Sequence, residues 1–318
     1  MGHLSDIALS DRIRGGLLGL ACGDALGAAV EFMTRDAIRR RYGRVTEMVG
    51  GGPFGVEPGE GTDDTDMALA VAEGLVEGAP DAREAVGRRL VAWFERGPKD
   101  VGSATRVALS NYLACRDWDA TVARTRVRLR DMAAGNGSLV RTLPVSFAFL
   151  RDPQRMRRES RRLSEMTHPH ELPTIACVYY NELARELALG AARERAAESA
   201  RRAVESEQLL VSYSTRTVFL RHIDKVPALS YSEVRASGFV LDALVAALWV
   251  FLRADGFEDA VMDAVGLGDD ADSIGALVGG LAGTYWGASA IPERWLAVLK
   301  ARGRIEAVAQ RLVELASR

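Results

Sequence analysis

The sequence has few of the residues on which several common kinds of site depend. It contains only three cysteines, none in a C-x-x-C arrangement, which argues against a disulfide framework and against a cysteine-bound zinc site. His168 and His170 have no cysteine or third histidine nearby, so zinc is not expected there either. The net charge is only −2, which removes the bulk electrostatic argument for nucleic acid or an anionic membrane as a partner.

Long apolar runs are also missing. The longest one near the C-terminus, 274–290, is rich in glycine and shorter than the roughly 20 apolar residues of a membrane-spanning helix, so it predicts a buried helix. The segment 1–6 is not a basic region followed by an apolar stretch, and we therefore expect no signal peptide. Thiols without a pairing pattern fit a reducing compartment, and we expect a cytoplasmic protein.

Helical periodicity dominates what remains, and no segment shows convincing alternation of period two. We interpret the arginine-rich segment 151–162 as a solvated connection, and 50–61 as a loop that lacks the GK[ST] of a phosphate-binding loop. Glycines 275, 279 and 283 should clear one helix face for close packing. The sequence predicts one all-α domain over 1–318, with helices over 67–78, 81–96, 103–112, 139–150, 175–189, 191–207, 238–253 and 304–318.

The chain does contain an unusual run of acidic and hydroxyl side chains, Gly61-Thr62-Asp63-Asp64-Thr65-Asp66, directly before an apolar helix. One aspartate would be enough to cap a helix. Three neighbouring carboxylates repel one another unless positive charge lies close by. The helix dipole supplies part of that charge, and a bound cation would supply more.

A chemically similar run, 268–273, lies far along the chain and again precedes a helix of small residues. Either run alone could be a helix cap, but together they argue for a shared cation site. Ligand sets made only of oxygen favour Mg²⁺ or Mn²⁺, and less strongly Ca²⁺. The number of carboxylates could hold two ions.

Six stretches, in this order, resemble the ADP-ribosylglycohydrolase family, and the likeness is closest to the dinitrogenase-reductase-activating glycohydrolases. They are GLLGLACGDALGAAVEFMT, GEGTDDTDMALA, DVGSAT, GNGSLVRTLPVS, THPH and VGLGDDADSIGALVGGLAG, and they span nearly the whole chain. The resemblance implies an orthogonal all-α bundle with two Mg²⁺ or Mn²⁺ ions in a central cleft. It also implies hydrolysis of the glycosidic bond between ADP-ribose and a protein side chain, with arginine expected and ADP-ribose as product.

The resemblance also implies a role for individual residues. Glu31 would be the catalytic or water-positioning carboxylate, and Asp100 would lie near the guanidinium of a substrate arginine. The implied metal ligands are Thr62, Asp63, Asp64, Asp270, Asp272 and Ser273. The implied substrate-binding residues are Gly135, Asn136, Gly137 and Ser138 at the diphosphate, His168 or His170 in the ADP-ribose cleft, and Phe239 against the adenine.

Several alternatives stay open at this point. Without the resemblance, Glu31 would more often be a surface or capping acid, and Asp100 could cap a helix near Val101. Asp24 either buttresses the site or caps a turn, and Asp66 is either a further ligand or a first-turn acid. Two other functions remain: hydrolysis of a different linkage, such as serine, a nucleic-acid base or O-acetyl-ADP-ribose, and ADP-ribose binding without catalysis. Asp100 favours arginine, and a nucleic-acid substrate is not expected.

Overall fold

A computed structural model describes residues 7–78, 81–206 and 211–317. Within these ranges the regular structure is helical and no β-strand is present; two isolated bridges join Gly51 to Val56 and Gly135 to Phe239. The predicted all-α class is therefore confirmed. No helix in the described ranges combines the length and the apolarity needed to cross a membrane. Residues 1–6, on which the expectation about a signal peptide rests, lie outside the described part.

Seventeen α-helices follow one another along the described chain. In order they are α1 (Leu9–Gly27), α2 (Arg35–Tyr42), α3 (Asp63–Val76), α4 (Ala82–Glu95), α5 (Ser103–Cys115), α6 (Trp118–Leu129), α7 (Gly137–Arg141), α8 (Leu143–Ala148), α9 (Pro153–Glu165), α10 (Glu171–Ala188), α11 (Arg193–Ser206), α12 (Tyr213–Lys225), α13 (Val240–Arg253), α14 (Phe257–Val265), α15 (Ala271–Trp286), α16 (Glu293–Val298) and α17 (Arg302–Ala316).

The predicted helices are present in the described ranges with shifted ends, except that the single helix predicted over 139–150 is two short helices. Residues 207 and 318, the predicted ends of two helices, lie outside the described residues. The helices α7 and α8 are separated at Thr142, and Pro144 lies in the first turn of α8. Proline is tolerated there because its missing N–H would have no intrahelical acceptor in any case. Proline therefore starts a new helix here instead of bending one continuous helix.

The interpretation of 151–162 as a solvated connection is wrong, because most of this segment belongs to α9. The Asp152 side chain caps the helix by accepting a backbone N–H at 2.9 Å. Met156 is fully buried on the inner face. Arg157 donates to the buried carboxylate of Glu182 at 2.9 Å. The segment is therefore an amphipathic helix. Its apolar positions are too few to stand out among the arginines of the sequence.

Helices α1 and α15 pack so closely that their backbones touch. A Cβ atom added to Gly19 would lie 2.2 Å from the carbonyl oxygen of Gly279, and one added to Gly23 would lie 1.9 Å from that of Gly275. Only glycine fits at such positions, which confirms the packing role expected for the glycine stripe of α15. The contact places the C-terminal end of α1, which leads to Glu31, beside the start of α15.

Candidate active site

The two acidic runs meet where α3 and α15 begin. The Ser273 hydroxyl donates a 2.8 Å hydrogen bond to Asp64, although 209 positions separate the two residues. Asn136 Nδ2 donates to Asp270 Oδ2 at 2.5 Å, which ties the start of α7 to the same place. The fold therefore brings together both acidic runs and the glycine-rich segment that precedes α7.

The carboxylates of these runs line one cavity of about 240 Å³. None of the described residues that line it is lysine or arginine. Carboxylate oxygens of Glu31, Asp100 and Asp272 lie within 4.8 Å of one another. The six acidic residues of the lining are Glu31, Asp63, Asp64, Asp100, Asp270 and Asp272.

Burial and mutual repulsion raise the pKa of these carboxyl groups. Burial, followed by the charge of Asp100, raises the pKa of Glu31 to about 8. The same two causes raise the pKa of Asp63 to about 7. The pKa values of Asp64 and Asp272 lie well above the ordinary range, and burial is again the largest cause. The cavity therefore favours either protonated carboxyl groups or an added positive charge.

The donor atoms of the cavity fit hard divalent cations. Oε2 of Glu31 and Oδ1 of Asp272 are buried and accept no hydrogen bond from the described protein. Burying such oxygens without a partner is costly, and a cation would remove that cost. Carboxylate and hydroxyl oxygens are the ligands that Mg²⁺ and Mn²⁺ prefer. Cysteine is absent from the described lining, which disfavours softer metals.

A buried aspartate organises the start of α3 from behind the cavity. Asp24 is fully buried, and its carboxylate accepts the Thr62 N–H at 2.9 Å, the Thr62 hydroxyl at 2.9 Å and the Thr65 N–H at 3.0 Å. The Thr65 hydroxyl also donates to it. Asp24 therefore buttresses the site, which settles one open alternative. Thr62 is held by Asp24 and lies outside the lining of the 240 Å³ cavity.

Two other open alternatives concern Asp66 and Asp100. Asp66 accepts a 3.0 Å hydrogen bond from the Trp93 indole and lines a neighbouring cavity of about 210 Å³ instead. Asp100 does not cap α5, because that helix begins at Ser103 with Gly102 in the capping position. Asp100 lines both cavities, so it stands at their junction. The capping interpretation of Asp100 is therefore wrong.

Four of the predicted substrate-binding residues, Gly135, Asn136, Gly137 and His168, line the acidic cavity. The Asn136 N–H donates to the Gly238 carbonyl at 3.0 Å, so it is not free to bind a diphosphate as expected. Burial, and next the charge of Arg141, lowers the pKa of His168 to about 3, which keeps its ring neutral. A neutral ring can bind ribose or phosphate oxygens without adding charge.

The other three, Ser138, His170 and Phe239, do not line this cavity. The Ser138 hydroxyl lies 2.9 Å from that of Ser164 in the buried interior. His170 Nδ1 accepts the Leu172 N–H at 3.1 Å and caps α10. Phe239 is 40% exposed. Of the two histidines offered by the sequence, the structure brings only His168 to the cavity.

Sequence reasoning did not single out the apolar side chains that line the cavity. Phe32, Phe54 and Met132 are among its lining residues. Phe32 is 65% exposed, and its ring centroid lies 6.4 Å from that of Phe54 in an edge-to-face arrangement. The only signal in the sequence is the position of Phe32 directly after Glu31 and of Phe54 inside the glycine-rich loop 50–61.

The family described as ADP-ribosylglycohydrolase matches residues 5–318 of the chain. The chain belongs to the ADP-ribosylglycohydrolase family. The resemblance carried by the six sequence stretches is thereby confirmed.

Relatives of this ADP-ribosylglycohydrolase include proteins named for particular substrates. The ADP-ribosylarginine hydrolase Tri1 of Serratia proteamaculans is 34% identical over 313 residues, which cover 96% of this chain and 80% of that protein. The ADP-ribosyl-[dinitrogen reductase] glycohydrolase of Rhodospirillum rubrum is 31% identical over 293 residues, which cover 92% of this chain and 91% of that protein. A solved ADP-ribosylglycohydrolase-related protein complex has a TM-score of 0.80 at 34% identity and covers 97% of this chain and 99% of its own.

Proposed function

We propose that this ADP-ribosylglycohydrolase removes ADP-ribose from arginine side chains of proteins and requires Mg²⁺ or Mn²⁺. The observation that carries the proposal is the convergence of six carboxylates in one cavity whose described lining contains neither lysine nor arginine. Such a cavity suits divalent cations and a cationic leaving group. Relatives named for ADP-ribosylarginine and for ADP-ribosyl-dinitrogen reductase support the choice of arginine in a protein as the modified side chain.

The two acidic runs offer enough oxygen ligands for two cations. The unpartnered Oδ1 of Asp272 and the hydroxyl of Ser273, which already bonds Asp64, are suitable donors. When bound, the cations would polarise ribose and water oxygens and stabilise developing negative charge. The proposed ligands are Thr62, Asp63, Asp64, Asp270, Asp272 and Ser273, and Thr62 would contribute while still held by Asp24.

Hydrolysis breaks the bond between the ribose C1 atom and a guanidinium nitrogen. Water supplies the oxygen that joins C1, and a proton passes to the departing nitrogen. Glu31, whose pKa is raised to about 8 chiefly by burial, can exchange a proton with the attacking water near neutral pH. Asp100 has an oxygen within 4.8 Å of one of Glu31 and can accept hydrogen bonds from the guanidinium. The pair formed by Asp100 and the guanidinium would hold the leaving group beside Glu31, the residue that transfers the proton.

A substrate panel tests the proposal. Release of ADP-ribose would be measured from arginine-, serine- and cysteine-linked peptides and from modified nucleic acid, with Mn²⁺, with Mg²⁺ and with EDTA. We expect cation-dependent release from arginine, lost in Glu31→Gln and Asp100→Asn but kept in Asp119→Asn, which changes an exposed acid that is not among the lining residues of the cavity. Equal release in EDTA would contradict the cation requirement. Binding of ADP-ribose without release from any substrate would indicate a non-catalytic binding protein.

A further inference from the structure

Two phenylalanines, Phe32 and Phe54, are among the lining residues of the acidic cavity. Phe32 follows Glu31 directly, but Glu31 is buried whereas Phe32 is 65% exposed. The Phe32 and Phe54 rings meet edge to face at 6.4 Å, with an interplanar angle of 66°. Both rings line the acidic cavity, and Phe54 also lines the neighbouring 210 Å³ cavity, as does Asp100. The aromatic pair therefore stands beside the carboxylate at the junction of the two cavities.

The backbone holds Phe32 in this exposed position at a conformational cost. Its φ of 62° lies in the left-handed region, which bulky residues rarely adopt. The Phe32 N–H donates to the Asp269 carbonyl at 2.7 Å, and the Asp269 N–H donates to the Met33 carbonyl at 2.8 Å. Asp269 is itself left-handed, with a φ of 58°. These bonds fix the loop of Glu31 to the loop before α15, with Phe32 left in solvent, where its ring adds little to core packing.

We propose that Phe32 and Phe54 form an aromatic clasp that packs against the guanidinium and methylene groups of the substrate arginine. This inference rests on the proposed arginine specificity. A guanidinium is planar and weakly hydrated, so it stacks on aromatic faces while its N–H groups bond a carboxylate. Phe32, Phe54 and Asp100 offer both kinds of contact in one place. The carboxylate of Asp100, which shares both cavities with Phe54, is complementary in charge to a guanidinium and not to the anionic diphosphate.

The clasp would act on the leaving group and not on ADP-ribose. Phe32→Ala, Phe54→Ala and the double variant should each lower kcat/KM for an arginine-linked peptide, by roughly 3- to 30-fold for loss of a cation–π contact. The dissociation constant of free ADP-ribose should stay unchanged. Phe32→Tyr should keep activity because it keeps the aromatic face, whereas Phe32→Leu should not. Tyr213→Ala is the matched control, because Tyr213 is 77% exposed and lies outside the cavity lining.

Three results would overturn the clasp. ADP-ribose affinity that falls as far as kcat/KM would place the rings on ADP-ribose. Full activity in Phe32→Leu would show that any apolar side chain serves. Unchanged kcat/KM in the double variant would leave the rings without a role in the reaction.

A binding measurement separates this proposal from the proposed function. Calorimetric affinity for an arginine-linked peptide is measured in a Glu31→Gln background, with and without the Phe32 and Phe54 substitutions. Loss of affinity on substitution supports the clasp even if the wild-type protein releases nothing from arginine, which would contradict the proposed function alone. Active wild-type protein with equal affinity in all variants would contradict the clasp alone.

Discussion

Asp272→Asn removes one negative charge from the most crowded part of the cavity, and we expect it to stabilise the cation-free protein. Carboxylate oxygens of Asp272, Glu31 and Asp100 lie within 4.8 Å of one another. At an effective dielectric constant near 20, each fully ionised pair at that distance repels by about 3.5 kcal/mol. Burial raises the pKa of all three groups, which lowers their mean negative charge and therefore their mutual repulsion. The expected gain in the free energy of unfolding is therefore smaller, about 1–3 kcal/mol.

Divalent cations should reverse the order of stability. An excess of a hundredfold over the dissociation constant stabilises a folded protein by about 2.7 kcal/mol per site. The wild-type protein should gain this stabilisation, whereas Asp272→Asn should lose most of it because a proposed ligand is missing. The new amide displaces no hydrogen bond at Oδ1, which has no partner in the described protein. Urea unfolding in EDTA and in excess Mn²⁺ measures both effects, with Asp119→Asn as the control.

The reasoning is refuted if Asp272→Asn unfolds at a lower urea concentration than the wild type in EDTA. It is refuted equally if Mn²⁺ stabilises both proteins by the same amount. The first result would mean that repulsion among the three carboxylates is negligible. The second would mean that Asp272 does not hold a cation.

Three further predictions concern the contact between α1 and α15, the buried Asp24 and the cavity residue His168. Gly279→Ala should lower the free energy of unfolding by about 3 kcal/mol or more, because its Cβ would lie 2.0 Å from the Gly19 carbonyl oxygen. Gly303→Ala should not lower it, because Gly303 has open space around it, and thermal unfolding compares the two variants. Asp24→Asn should weaken Mn²⁺ binding by about 10- to 100-fold in calorimetry, because an amide cannot accept all the hydrogen bonds that Thr62 and Thr65 donate to the carboxylate. Unchanged affinity would contradict the buttressing role of Asp24. The pKa of His168 in the folded protein, about 3, lies below the ordinary 6.5, so the folded state opposes protonation of its ring. The free energy of unfolding of the wild type relative to His168→Gln should therefore fall as pH drops below 6.5, by up to about 1.4 kcal/mol per pH unit. Urea unfolding at several pH values measures this, and a difference between the two proteins that stays constant with pH would refute it.

The sequence was sufficient for the features that depend on local pattern. Acidic runs before apolar helices predicted where the cavity would form, and glycines four residues apart predicted a close helix contact. The glycines of α1 predicted only that this helix packs closely on another element, and not that this element is α15. The sequence could not show that Gly19 meets Gly279, because that register depends on how two distant helices cross.

Features that depend on the path of the backbone were missed. Nothing in the sequence shows that Phe32 adopts a left-handed conformation that leaves its ring in solvent. The Asn136 N–H donates its hydrogen bond to the carbonyl of Gly238, which is remote in sequence. His168 and His170 are equivalent in the sequence, but only the turn before α10 decides which ring faces the cavity and which one caps the helix. Predictions from residue type alone stop at this level.

The balance of charge around the cavity is the reason why we propose two cations instead of one. The longer helices that begin near it are α3, α5 and α15, and the N-terminus of each carries roughly half a positive charge; α7 also begins there but has only five residues and is left out of the count. Arg141 is fully buried and interacts with Asp63 and Asp64, which adds one more. If all six carboxyl groups are ionised, these sources supply about 2.5 positive charges against six negative ones, and protons or cations must fill a deficit of about 3.5. One divalent cation would leave much of that deficit, whereas two would neutralise it, so we expect calorimetry at neutral pH to find two Mn²⁺ ions per chain.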